Sequence, residues 1–229
     1  MPRPARRALL ANAPATIHFI WRCHNRDFLL DDDQTKQRYL DLLAQHKQRY
    51  GIEIYGYAIM SNHFHAVLRL PARRNWQNFS RTVNSQLAVS INRQRKRQGQ
   101  VVMDRPKTVL LERDEDVLAV LRYIELNPVR AGLARRPRDY RWSSYRHHAL
   151  GRDDEVVDAC PAVCGLGSTA CSRRAAYVAL FGIIHAALDQ HRRRDLVDTF
   201  FVGTAAWCVR QRRALREIQH ARGRPPSRV

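Results

Sequence analysis

Acidic side chains are scarce in this sequence. Its 229 residues contain 21 Asp and Glu against 40 Lys and Arg, which gives a formal net charge of +19. A surplus of this size says little about the fold, but it indicates a polyanionic partner such as nucleic acid. A membrane surface is the rival polyanion. The chain has no apolar run of membrane-spanning length, however, and its basic residues are spread along it. We therefore expect a nucleic-acid partner and no membrane.

Export signals and regularly spaced cysteines are also lacking. The short apolar stretch near the N-terminus is broken by Asn12 and Pro14, which argues against a signal peptide. Five cysteines at irregular spacing are typical of reduced thiols, so we expect a cytoplasmic, nucleoid-associated protein. Cys160, Cys164 and Cys171 do not have the paired Cys-x-x-Cys spacing of a zinc site, and we assign them none.

The hydrophobic pattern predicts a definite order of elements. Alternation predicts strands at 16–22, 52–60, 63–70 and 107–112, and helical spacing predicts helices at 33–50, 76–98 and 114–127. Pro128 is expected to end the last of these helices. The order β-α-β-β-α-β followed by a helix is typical of an α+β, ferredoxin-like (RRM-like) fold, an antiparallel sheet with helices on one face and the other face open. We expect residues 1–150 to form this domain, and residues 151–229 to form a helical extension with a basic, disordered tail.

Two histidines share one face of the third predicted strand. In SNHFHAVLRL, His63 and His65 are two residues apart after a Ser-Asn turn, so their side chains lie on the same side of the strand. Such a pair can hold a metal ion, or it can lie on a solvated face of a sheet. On the later helix, Tyr123 and Asn127 are one turn apart at the edge of an apolar stripe. Taken singly, they read as a boundary tyrosine and a helix terminator before proline. Packing of the stripe on the sheet would bring them to the histidines.

The combination of these segments resembles the single-tyrosine HUH transposases, in particular the branch associated with repetitive extragenic palindromes. The similarity rests on SNHFHAVL followed by LRYIELNPVRAGL. It extends from about residue 15 to 150 through WRCHNRDFLL, RYGIEIYGYAIMSNH, RQGQVVMDRPKT and RPRDYRWSSY. One departure is Pro106, which stands where the family often has an aromatic residue.

The resemblance implies a metal-dependent enzyme that nicks and rejoins single-stranded DNA, with Tyr123 as the nucleophile of a 5′-phosphotyrosine intermediate. It implies that His63, His65 and Asn127 hold Mg²⁺ or Mn²⁺, which polarises the scissile phosphate. The implied partner is single-stranded or hairpin-forming repeat DNA, and a monomer and a homodimer are both compatible with the sequence. The side chains expected to line the DNA are Arg22, His24, Asn25, Arg26, Arg93, Arg95, Lys96, Arg97, Arg105, Lys107 and Arg122. Glu125 lies off the face of Tyr123, and we interpret it as a solvated helix acid.

Two other functions stay open at the level of the sequence. A domesticated DNA-binding regulator without activity would use the same sheet, although the intact histidines and tyrosine favour an enzyme. A metal-dependent hydrolase would use the histidines to activate water, but no carboxylate-rich second ligand set accompanies either segment.

Overall fold

A five-stranded sheet forms the centre of the computed structural model, which describes residues 14–70, 76–103, 106–182 and 194–221. Its strands are β1 (Ala15–Arg22), β2 (Glu53–Ile59), β3 (His63–Leu70), β4 (Lys107–Leu111) and β5 (Phe201–Val202). They follow the order β2-β3-β1-β4-β5, and all neighbours are antiparallel except β4 and β5, which are parallel. The first four strands have the order of a ferredoxin-like sheet, so the predicted α+β fold class is confirmed.

Eight α-helices accompany the sheet in the described part of the chain. They are α1 (Asp33–Tyr50), α2 (Trp76–Gln94), α3 (Asp114–Arg130), α4 (Tyr145–Leu150), α5 (Pro161–Cys164), α6 (Ala170–Gly182), α7 (Arg194–Val197) and α8 (Ala205–Ala221). The start of α1 is capped by Asp32, whose carboxylate accepts from the Thr35 backbone N–H at 2.7 Å. Gly51 ends α1 in the left-handed region, at φ 62°. None of the helices in the described ranges has the length and apolarity needed to cross a membrane.

The two crossover helices, α1 and α2, cover one face of the sheet, as expected. The side chains of this core from β1 and β3 include Phe19, Phe64 and Leu68. They pack against the apolar stripes of both helices, which contribute Tyr39, Leu42, Leu43, Phe79, Val83, Leu87 and Ile91. The alternation in the sequence thus sends every second strand residue into the larger core.

Helix α3 packs on part of the opposite face, because its own apolar stripe needs a surface to bury it. Val120, Leu121 and Ile124 form a second cluster with Ile20 and Val67 of the sheet. This packing brings α3 onto the face that carries the histidines.

Helix α3 does not end at Pro128, and that prediction was wrong. The helix continues to Arg130, with the buried Pro128 inside its last turn. A proline removes the hydrogen bond that an N–H there would donate to the carbonyl four residues earlier, and the burial of the Pro128 ring offsets part of that loss. The Pro128 carbonyl still accepts from the Leu133 N–H at 2.8 Å. The additional turn places Arg130 on the same side of the helix as Tyr123.

The C-terminal residues add to the sheet rather than standing apart from it. Strand β5 pairs in parallel with β4 through Leu110 opposite Phe201. Leu196 of α7 joins the cluster under α3, whereas Leu215 of α8 joins the larger core on the other face. A strand of two residues has no periodicity, so the sequence pattern did not predict it. The predicted division of the chain at residue 150 stays a prediction, and most of the tail predicted to be disordered, 222–229, lies outside the described residues.

A buried carboxyl group links α3 to two later segments. Glu125 is 0% exposed and accepts from Ser144 Oγ at 2.5 Å and from Tyr177 Oη at 2.8 Å. Its interpretation as a solvated acid was wrong, because α6 and the residues before α4 cover this side of α3. Burial raises the pKa of Glu125 to about 8, although the hydrogen bonds from Ser144 and Tyr177 act in the opposite direction. Gly56 of β2 leaves room for this contact, since a Cβ there would lie 2.8 Å from Ser144 Oγ.

The buried acid makes the stability of the protein dependent on pH. Its folded-state pKa of about 8 exceeds the ordinary value of 4.5, so the folded protein keeps a proton that the unfolded chain loses. Stability therefore falls as pH rises between these two values. In Glu125→Gln the amide can donate to Ser144 and accept from Tyr177 without titrating. Urea unfolding should show the wild type losing about 1.4 kcal/mol per pH unit relative to this variant between about pH 5 and pH 8.

Glu155→Gln is the matched control, because Glu155 is exposed. Its free energy of unfolding should run parallel to that of the wild type over the same pH range. If Glu125→Gln also ran parallel to the wild type, Glu125 would not be protonated in the folded protein.

Candidate active site

Three histidines share the sheet face beneath α3. The antiparallel register of β1 and β3 places Arg22 opposite His63, Ile20 opposite His65 and His18 opposite Val67. Directly opposed residues lie on the same face of a sheet, so His18 lies beside the predicted pair. The ring centroids of His63 and His65 are 5.0 Å apart, and those of His18 and His65 are 5.1 Å apart.

His65 is buried. The sequence left open whether the histidine pair lies on a solvated face of the sheet, and for His65 it does not. His65 is 3% exposed. Burial lowers its pKa well below the ordinary value, and neighbouring positive charge, including that of Arg22 and Arg130, lowers it further. The imidazole is therefore neutral at physiological pH, which is the form that binds metal ions.

The turn residue Asn62 orients His63. Its amide Nδ2 donates to the Arg26 carbonyl at 3.0 Å, so its Oδ1 is the atom that faces His63 Nδ1 at 2.7 Å. An amide oxygen only accepts, which assigns a proton to His63 Nδ1. In the neutral ring, the lone pair then lies on Nε2. From the sequence, Asn62 was predicted only to form the turn before β3.

His65 also has a hydrogen-bond partner at Nδ1, as His63 does. His18 Nε2 lies 2.9 Å from His65 Nδ1, and His18 Nδ1 lies 3.1 Å from the Leu196 carbonyl oxygen. Burial lowers the pKa of His18 to about 4. The alternation of THIHFIWR could have identified His18, because it places this histidine on the face of Ile20 and Arg22.

Tyr123 reaches this face from α3. Its ring centroid lies 5.9 Å from that of His65 and 6.0 Å from that of His18, in edge-on contacts. The Arg130 guanidinium lies 4.5 Å from the centre of the tyrosine ring, and it donates to the Tyr123 carbonyl. It also donates to Asn127 Oδ1 at 3.3 Å. These three residues of α3 share one side of the helix at spacings of four and seven.

Arg130 was not predicted as a site residue, because Pro128 was expected to end the helix before it. Asn127 lies one turn beyond Tyr123, as predicted. Its Nδ2 is buried without a hydrogen-bond partner among the described residues. The structure thus gathers Tyr123, Asn127 and Arg130 on the helix that covers the histidine-bearing face.

Four of the residues predicted to line DNA lie at the end of β1. Arg22 is half-buried opposite His63, and His24, Asn25 and Arg26 form the short 3₁₀ turn that follows. Asn25 and Arg26 have left-handed backbones, at φ 54° and 63°. Both are exposed, and the Asn62 amide fixes the turn through Arg26. This turn therefore borders the histidine pair.

The basic end of α2 lies at the same end of the domain. Arg93 and Lys96 are exposed, and Arg97 donates to Asn92 Oδ1 at 3.2 Å. Arg95 forms ion pairs with Asp31 at 2.7 Å and with Asp32 at 3.0 Å. Its charge is thus used within the fold.

Of the three remaining predicted DNA contacts, the structure describes Lys107 on β4 and Arg122 on α3. Lys107 is opposite Ile20 in the sheet register and forms an ion pair with Asp198 at 3.0 Å. Arg122 is half-buried beside Tyr123 on α3. Arg105 lies outside the described residues.

A cluster of three or more His, Cys, Asp or Glu side chains suited to a metal ion is absent from the described ranges. The predicted ligand set differs from such a cluster because its third member is an amide, Asn127. An amide oxygen is a suitable ligand for Mg²⁺ or Mn²⁺, so this set is judged by its own geometry.

Comparison with known proteins identifies the family. A structure of a REP-associated tyrosine transposase bound to a REP hairpin is similar, with a TM-score of 0.52 and 19% identity over 63% of this chain and 88% of that one. A candidate transposase from Deinococcus radiodurans R1 gives a TM-score of 0.38 at 19% identity, over 49% of this chain and 89% of that one. No curated protein matches the sequence. The family model of IS200-like transposases matches residues 13–125, which include the histidine pair and Tyr123, and the predicted resemblance to this family of DNA-processing enzymes is confirmed.

Proposed function

We propose that the protein nicks and rejoins single-stranded DNA through a covalent link to Tyr123. The observation that carries the proposal is the convergence of Tyr123 from α3 with His65 from β3, 5.9 Å apart between ring centroids, beside the Arg130 guanidinium. The match to the IS200-like transposase family and the net charge of +19 support DNA as the substrate.

A tyrosine suits a cut that is later rejoined. The phenolic oxygen attacks phosphorus, the bond between phosphorus and the 3′-oxygen breaks, and a bond between phosphorus and Tyr123 forms. The phenol loses one proton and the leaving 3′-oxygen gains one, which gives a 5′-phosphotyrosine and a 3′-hydroxyl. Because the phenolate is a good leaving group, another 3′-hydroxyl can reverse the step without a nucleotide cofactor.

Arg130 supplies positive charge at two points of this reaction. A free tyrosine has a pKa of about 10 and is mostly unreactive at neutral pH. The Arg130 guanidinium, 4.5 Å from the ring centre, places positive charge beside the negative charge that develops as the phenol loses its proton. The same cation helps to neutralise the charge that develops on the phosphate.

The side chains present fit a divalent ion. Both histidines have Nδ1 engaged, by Asn62 and by His18, so Nε2 is the ring nitrogen that would serve as the ligand atom in each. The Asn127 oxygen accepts from Arg130 and retains a second lone pair. We propose that His63, His65 and Asn127 hold Mg²⁺ or Mn²⁺, which would polarise the scissile phosphate when bound.

Hairpin-forming DNA is the proposed substrate class. The REP hairpin in the similar transposase structure supports this choice. We propose that the DNA backbone follows the end of the sheet along Arg22, the turn of His24, Asn25 and Arg26, and the basic end of α2. Arg95 and Lys107 are left out of this proposed path because their charges are paired, that of Arg95 with Asp31 and Asp32 and that of Lys107 with Asp198. The proposed contacts are Arg22, His24, Asn25, Arg26, Arg93, Lys96, Arg97 and Arg122, and Arg105, outside the described residues, stays a prediction from the sequence.

Tyr123→Phe should abolish both nicking and the covalent adduct. The change removes one hydroxyl from a buried ring, so stability should fall by about 1 kcal/mol or less. The assay is incubation with labelled hairpin DNA and Mn²⁺, followed by a denaturing gel and mass spectrometry of the adduct. Tyr50→Phe is the matched control, because Tyr50 bonds to Thr82 on the other face and should leave cleavage intact. A nucleotide attached to a different residue would overturn the proposal, and hairpin binding without any wild-type adduct would favour a DNA-binding regulator.

His63→Ala and His65→Ala should each remove metal-dependent nicking while leaving hairpin affinity largely unchanged. The reason is that the proposed ligands act on the reacting phosphate, whereas the basic side chains provide most of the attraction to the backbone. Nicking rates across a Mg²⁺ titration, with fluorescence anisotropy for binding, separate the two effects. His147→Ala on α4 is the control, since the His147 ring is engaged by the nearby Arg152 carbonyl rather than by any residue of the proposed site. Near wild-type cutting in Mg²⁺ by either site variant would rule out the metal assignment.

Hairpin binding should weaken steeply with salt. About five to eight neutralised phosphates would lower the affinity on the order of a hundredfold from low to moderate salt. Arg26→Ala should reduce the slope of log affinity against log salt by about 0.7 to 0.9, the effect of one phosphate contact. Arg210→Ala, an exposed arginine on α8, should keep the wild-type slope. A slope near zero in the wild type would mean that the net charge serves a partner other than DNA.

A further inference from the structure

The proposed reaction gives no part to His18, although it is a fully buried histidine at the site. It is 0% exposed, and both ring nitrogens are engaged, Nδ1 by the Leu196 carbonyl at 3.1 Å and Nε2 by His65 Nδ1 at 2.9 Å. A buried polar ring with two defined partners has a fixed orientation, because rotation would leave polar atoms unsatisfied. His18 therefore constrains whatever lies on its other side.

The hydrogen bonds assign the protons of both rings. A carbonyl oxygen only accepts, so His18 Nδ1 carries a proton. One proton lies between His18 Nε2 and His65 Nδ1. If it were on His18, that ring would be a buried cation, and the neutral His65 would carry its own proton on Nε2. With His18 neutral, His65 Nδ1 donates and the lone pair of His65 lies on Nε2. The second arrangement is the one that places no extra charge inside the protein.

We infer that His18, held by the main-chain carbonyl of Leu196, is a positioning residue that keeps the His65 proton on Nδ1 and leaves Nε2 as the ligand atom. This inference rests on the proposed metal-dependent function. Asn62 makes the equivalent contact with His63, so both proposed ligands have the same tautomer by separate means. Partners of this kind orient a metal-binding imidazole and raise its basicity.

The Leu196 carbonyl connects the C-terminal segment to the site. Leu196 lies in α7, and the chain next to it is fixed by the ion pair of Asp198 with Lys107 at 3.0 Å. The Phe200 carbonyl then accepts from the Leu110 N–H at 3.0 Å, as β5 joins the sheet. Residues 194–202, which lie beyond the segment matched by the family model, thus contribute the last member of the chain of contacts to His65.

The experiment combines ring-nitrogen NMR with Mn²⁺ binding. The ¹⁵N chemical shifts of the metal-free wild type should show His65 as the Nδ1–H tautomer. His18→Asn keeps a donor for Leu196 but is too short to accept from His65. We expect its Mn²⁺ dissociation constant to rise about 10- to 100-fold. His18→Gln can place Oε1 where the ring Nε2 lies and should restore the affinity. Val109→Ala, which alters the cross-strand neighbour of His18 without touching either hydrogen bond, should bind Mn²⁺ as the wild type does.

The outcomes separate this inference from the proposed function. An Nε2–H tautomer of His65 in the wild type would overturn the inference. So would wild-type Mn²⁺ affinity in His18→Asn, provided that His65→Ala loses binding. Unchanged Mn²⁺ affinity in His65→Ala would refute the metal site instead, and the wild-type ring spectra would then decide the role of His18 alone. Thermal unfolding of each variant checks that it is folded, and the wild-type spectra need no variant.

Discussion

The burial of imidazole rings under helix α3 is the constraint on which the site depends. A polar ring removed from water must find hydrogen-bond partners within the protein. The protein provides them in series, from the Leu196 carbonyl to His18 to His65, and from the Arg26 carbonyl through Asn62 to His63. Each series begins at a main-chain carbonyl, that of Leu196 in α7 and that of Arg26 in the turn after β1. The histidine geometry is thus set by the fold before any ligand arrives.

Helix α3 carries polar side chains on two opposite sides, and the contacts of one side help to position the other. One side holds Tyr123, Asn127 and Arg130 over the histidine-bearing face. The other side is anchored by Glu125, a neutral acid bonded to Ser144 and Tyr177. Apolar packing alone is not directional and leaves a helix able to shift along the sheet. Hydrogen bonds are directional, so they fix the position of the helix along its axis. The anchor on the far side therefore contributes to the position of the tyrosine hydroxyl.

The sequence predicts those features that repeat with a fixed period. The four longer strands, the first helix with its caps, and the shared face of His63 and His65 all follow from alternation or helical spacing. Features that depend on tertiary contacts were missed. Proline usually ends a helix, but packing keeps Pro128 inside α3. Because the helix was expected to end there, Arg130 was not predicted as a site residue. Glu125 looks like any helix acid until α6 covers it. Strand β5 is too short to carry a pattern, so the contribution of the C-terminal segment to the sheet was not expected.

The proposed ligand set has a consequence for how metal and DNA act together. Two imidazoles and one amide are all neutral, so they leave the full double charge of a divalent ion uncompensated. Arg130 and Arg22 add positive charge close to His65. Burial is the main cause of the lowered pKa of this histidine, and these two charges lower it further. An ion at this site would bind more tightly when phosphate oxygens completed its coordination. By linkage, the ion would strengthen phosphate binding by the same factor. On the proposed function, the site would be complete only with DNA present, which would confine the reactive arrangement to the bound substrate.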